Sequence, residues 1–82
     1  AATDLAAQEA AATTSVTEAE DAVTAVPDDG TTSNTAEIAT AQSEIDQAQV
    51  LVDGLPAGTT KTNLQADIDA AQTTLDAITP VA

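Results

Sequence analysis

The side chains able to do acid-base or ligand chemistry in this sequence are almost all carboxylates. Fourteen Asp and Glu stand against a single cation, Lys61, with no Arg, His or Cys. General acid-base and nucleophilic catalysis draw on His, Cys, Lys, Tyr or a carboxylate pair retuned in a dry pocket. With no Phe, Tyr, Trp or Met, a thin helical chain has little with which to wall off such a pocket. No catalytic residue and no cofactor site is expected, and the chain reads as a non-enzyme. The run Asp28-Asp29-Gly30 invites a calcium reading. An EF-hand loop needs oxygen ligands at its first and third positions and a Glu at its twelfth, around a Gly at its sixth. Setting Gly30 at the Gly position places Ala25, Pro27 and Ala36 where the ligands should be. A solvated turn is expected there, with at most weak nonspecific calcium binding, and Glu18, Glu20 and Asp21 read as a solvated helix face. No metal site is expected.

Threonine suggests one further chemistry. Thr3 and Thr14, Thr13 and Thr24, and Thr62 and Thr73 each lie eleven residues apart, the repeat that a flat ice-binding face would use. The pattern is not sustained over three turns of any one helix, so ice binding is a remote alternative, to be tested by thermal hysteresis.

The charge balance excludes more than it suggests. A formal charge of −13 repels phosphate backbones and anionic headgroups, which argues against nucleic-acid and membrane-surface partners. It also opposes close self-association at low salt, and a monomer is expected. No apolar run approaches the roughly 20 residues of a membrane span, so membrane insertion is not expected. Without Cys the redox compartment cannot be read. Ala1 opens without a basic n-region or a leader-like apolar run, which suits a segment of a longer exported polypeptide.

The elements that must carry these groups are written in the spacing of the aliphatic residues. Leu64, Ile68, Ala71, Leu75 and Ile78 fall at steps of four and three, one stripe of an α-helix. The same spacing occurs in Ile38, Ala41, Ile45, Ala48, Val52, Leu55, and in Leu5, Glu9, Ala12, Val16, Ala19, Val23, Val26, where Glu9 takes one apolar slot. Helices are expected over about 3–26, 34–54 and 60–79. Pro27, Pro56 and Pro80 follow the helix ends, because a residue before proline is pushed out of the helical region. Asn34 with Glu37, and Thr62 with Gln65, have capping-box spacing, and Gly54 suits a left-handed terminator. An offset of 29 lays Val16, Ala19, Val23, Val26 and Pro27 over Ile45, Ala48, Val52, Leu55 and Pro56. An offset of 30 lays Ala41 and Gln42 over Ala71 and Gln72, so the chain reads as an approximate repeat of one helix and one turn. Short connections make sequential helices antiparallel, which predicts an all-α, three-helix up-down-up bundle formed by residues 1–82 as one module. The first turns of the first helix, where Ala predominates, should be the least firmly packed.

A partner would have to use aliphatic surface, since interface hot spots favour Trp, Tyr and Arg, and all three are missing. Val50, Leu51 and Leu55 are the candidates, provided that they are exposed. The segment DQAQVLVDGLPAGTTKTNLQADIDAAQTTLDAI, Asp46 to Ile78, resembles the FIVAR and GA-like helical repeat modules of bacterial surface proteins. That resemblance implies a three-helix spacer or stalk module of an extracellular, cell-surface or cell-wall-associated adhesin, in contact with neighbouring modules of the same polypeptide. The alternative that it implies is a module binding a host or matrix protein of the albumin or fibronectin type. The near absence of Lys and aromatics departs from the albumin-binding members, and no functional residue transfers position by position.

Overall fold

The computed structural model describes residues 2–82, with side chains from Asp4 onward. Helices α1 (Ala2–Thr24), α2 (Thr35–Asp53) and α3 (Thr59–Asp76) form an all-α bundle with extents of 49 × 16 × 14 Å. The expected class and helix number are observed. The starting residue Ala1 and the side chain of Thr3, which entered the readings above, lie outside the described residues.

The core is one column of aliphatic side chains, four from each helix and one from the turn that follows it. Ala12, Val16, Ala19, Val23 and Val26 meet Ala41, Ile45, Ala48, Val52 and Leu55, and these meet Leu64, Ile68, Ala71, Leu75 and Ile78. All fifteen lie on the stripes that the four-three spacing marks. Alanines at 12, 19, 41, 48 and 71 let the helix backbones approach where no large side chain could fit. The upper stripe of α1 is thin, as expected: Leu5 and Glu9 are only half-buried, and Ala12 is the first of its described residues to be fully enclosed.

Register between α2 and α3 is set by polar pairs flanking that column. Gln42 and Gln72 exchange side-chain hydrogen bonds at 2.8 Å in both directions, and Gln49 and Gln65 do the same at 2.7 and 2.9 Å. The second amide N–H of each Gln goes to the Asp one turn on, at Asp46, Asp76, Asp53 and Asp69. Pairing 42 with 72 and 49 with 65 requires antiparallel helices, and a slip of one turn would break both pairs.

All three helices end alike. After the last α-type bond, the amide of Val26 turns to Val23 O, that of Leu55 to Val52 O and that of Ile78 to Leu75 O, at 3.2, 3.0 and 3.0 Å. This tighter i to i+3 turn carries an apolar residue back over the core just before the proline-containing segment. It also accounts for helices one to three residues shorter at their C-termini than the spacing suggested. Gly54 is accordingly right-handed, with φ −77° and ψ −10°, and not the left-handed terminator expected. Among the described glycines only Gly30 has positive φ, at 78°, within the α1–α2 turn.

Neither capping box forms. Asn34 does occupy the N-cap of α2, but its side chain makes no cap bond. Helix α3 begins at Thr59 after an extended Gly58. That places Thr62 inside the first turn, its amide bonded to Gly58 O, while Gln65 reaches across to Gln49. In both cases a tertiary partner took the side chain that local capping would have used.

Candidate functional site

The three aliphatic contact candidates separate in the structure. Val50 is 70% exposed and Leu51 41%, whereas Leu55 is 4% exposed. Leu55 is a correction to the expected contact set: it is the residue folded back over the core at the end of α2, equivalent to Val26 and Ile78. The signal was in the sequence, because the offset of 29 already places Leu55 on Val26 within the buried stripe. Val50 and Leu51 precede buried Val52 on a helix turning about 100° per residue, so three successive apolar residues cannot all face inward. They line a shallow groove of about 360 Å³ with Ala7, Gln8, Ala11 and Gly54, where the start of α1 passes the end of α2. The groove is apolar because small residues on α1 leave the flanks of Val50 and Leu51 uncovered.

The carboxylates that accept hydrogen bonds are Asp29 in the α1–α2 turn and the four Asp beside the Gln pairs. In the α1–α2 turn, Asp29 Oδ1 accepts from the amides of Thr31 and Thr32 at 2.9 and 2.8 Å and from Thr31 Oγ1 at 3.1 Å; Oδ2 accepts from Thr32 Oγ1 at 2.7 Å. Bonding by the Thr32 hydroxyl, then by the Thr31 and Thr32 amides, holds the Asp29 carboxyl well below its ordinary range. This is an Asx-type turn that favours the ionised acid. Glu20 shifts the other way, raised first by partial desolvation and then by the like charges of Asp67 and Asp21. Among the described residues no group of three or more His, Cys, Asp or Glu is disposed to hold a metal ion. Lys61 is half-buried and its Nζ donates to the terminal carbonyl of α2, Asp53 O, at 3.5 Å, where a cation suits the negative helix end. No helix of the described chain is long and apolar enough to cross a membrane.

Asn34, read from the sequence only as a cap, has a larger role. Asn34 is 1% exposed, and its side chain bonds Pro27 O, Thr79 O and the Val81 amide. Two of those partners lie more than forty residues away, so nothing local could have marked it as more than a cap.

The family model described as pesticidal crystal protein Cry1Aa, domain IV, matches residues 6–77. The chain belongs to this family. The match to domain IV runs from the first turns of α1 to the residue after α3, so it includes all three helices. It overturns the resemblance to FIVAR and GA-like modules, and with it the reading as an adhesin spacer. The physical reason for the misreading is plain: Ala-rich helices with a four-three stripe and Leu-Pro ends satisfy the packing needs of any small bundle. Such a pattern reports architecture and not lineage. No curated protein and no solved structure matches this domain IV member.

Proposed function

We propose that the chain is a non-catalytic helical module of a pesticidal crystal protein, acting through its surface within a longer polypeptide. The family match over residues 6–77 is the observation that carries this reading. The chemistry of the chain agrees with it. The acids with shifted titration are a turn-forming Asp29 and an exposed Glu20, neither of them set against a nucleophile or a cation. The groove at Val50 and Leu51 is assigned to a neighbouring part of the same polypeptide. A second copy of a chain with charge −13 is repelled at low salt, whereas a tethered neighbour approaches at high effective concentration. The same charge disfavours a nucleic-acid partner, and no described helix is long and apolar enough to insert across a membrane.

The test is to compare the parent polypeptide, intact and with residues 6–77 excised, for pesticidal activity and for yield of assembled protein, alongside the isolated chain assayed for hydrolytic turnover. The reading expects an inert isolated chain and a deficit in the excised polypeptide. Turnover by the isolated chain, or an excised polypeptide indistinguishable from the intact one, would overturn it.

A further inference from the structure

We propose that Asn34 is a latch that straps the segment after α3 across the end of the bundle and so fixes the direction in which the polypeptide leaves it. The strap is Thr79-Pro80-Val81-Ala82, which runs beside the turn from Pro27 to Asn34. Asn34 grips it by backbone and side chain together. Its amide donates to Val81 O at 3.0 Å, and its Oδ1 accepts from the Val81 amide at 2.7 Å. Its Nδ2 donates to Thr79 O at 3.1 Å and to Pro27 O at 2.8 Å. A further bond runs from Ser33 Oγ to Ala82 O at 3.2 Å.

The arrangement admits only one orientation of the amide, since the nitrogen faces two carbonyls and the oxygen faces an N–H. It also explains why this Asn forgoes helix capping. Its side chain is the shared partner of three backbone groups from the α1–α2 turn and from the strap, and each would be left without a partner were it removed. Pro80 suits the strap, because it lacks an N–H that would need a partner and biases Thr79 towards extended backbone. The other Asn, Asn63, lies exposed within α3, so the role belongs to position and not to residue type. Latched, the chain beyond α3 leaves rigidly alongside the α1–α2 turn. Released, the same residues become a flexible tether on the end of α3.

Amide hydrogen exchange on the full chain tests the latch. In Asn34→Ala, protection of the Val81 amide is expected to fall about tenfold or more, while the mid-helix amides of Ile45 and Ile68 retain theirs. Val81→Pro deletes the strap's donor without touching Asn34, and the Asn34 amide is then expected to lose protection as well. Asn34→Asp keeps the Oδ1 acceptor but sets a carboxylate oxygen in place of Nδ2 against the carbonyls of Pro27 and Thr79, and that repulsion should lift the strap, so at neutral pH Val81 should lose protection here too. If Asn34→Ala does not fold, the Val81→Pro and Asn34→Asp exchange patterns decide. Val81 as protected in Asn34→Asp as in the parent, or Asn34 unchanged by Val81→Pro, would overturn the proposal. Neither result bears on membership of a crystal-protein polypeptide, because the latch is internal to the chain.

Discussion

Asp29 and Glu20 show how far the behaviour of a carboxylate depends on what surrounds it. Asp29 is charged at neutral pH and bonded by two threonines, so its pKa is lower in the fold than in the unfolded chain. Its contribution is therefore fully present above the ordinary carboxylate pKa and is lost as pH falls through the lowered folded value. An NMR titration should find the Thr31 and Thr32 amide shifts moving at a pH well below that at which free Asp titrates, and Asp29→Ala should abolish that movement. Glu20 runs in the opposite sense. Its folded pKa is raised, so the folded state binds the extra proton and stability rises as pH falls through that window. At neutral pH its charge opposes folding. Glu20→Gln is expected to stabilise by a few tenths of a kcal/mol at low salt, and by less at high salt, as read from urea midpoints at two ionic strengths.

The elements are held by a column of aliphatics that sets stability and by amide pairs that set register. Ile45→Ala or Ile68→Ala removes buried volume from the middle of that column and should cost about 2–5 kcal/mol in chemical denaturation. Exposed Val50→Ser, by contrast, should change stability by no more than about 0.5 kcal/mol. Gln42 and Gln72 are half-buried, so truncating either to Ala should cost about 0.5–1.5 kcal/mol. The double substitution should cost less than the sum, which a double-mutant cycle would reveal. Replacing all four glutamines should leave the far-ultraviolet circular-dichroism minima in place while weakening the preference for one alignment of α2 on α3.

At the scale of the whole molecule, a charge of −13 spread over a rod 49 Å long and about 15 Å thick works against compactness. Added salt should raise the melting temperature, because screening weakens repulsion among exposed acids more than it weakens the buried aliphatic column. Solubility should pass through a minimum near the sequence pI of about 4.1, where the repulsion between copies vanishes; turbidity against pH is the measurement. In an up-down-up bundle the Asn34 latch and the Val50–Leu51 groove occupy opposite ends. A module built this way has one end that binds its own tail and another whose aliphatic surface remains uncovered.

The four-three spacing by itself determined the helical class and the three stripes, because helix geometry converts spacing directly into a face; of the eighteen stripe positions the fold buries fifteen and leaves Leu5, Glu9 and Ile38 half-buried. Composition determined the acidity and the poverty of catalytic groups. Helix ends were only partly legible: the prolines marked where each helix had to stop, but whether Gly54 would turn left-handed depended on Leu55 finding the core. Tertiary structure alone decided which neighbour received each polar side chain. Gln65 pairs with Gln49 and Asn34 holds Val81, and no local pattern can announce a partner sixteen or forty-seven residues distant. Leu55 and Leu51 are both leucines near the end of one helix. One is core and the other surface because a single tight turn after Val52 folds the chain back over the bundle.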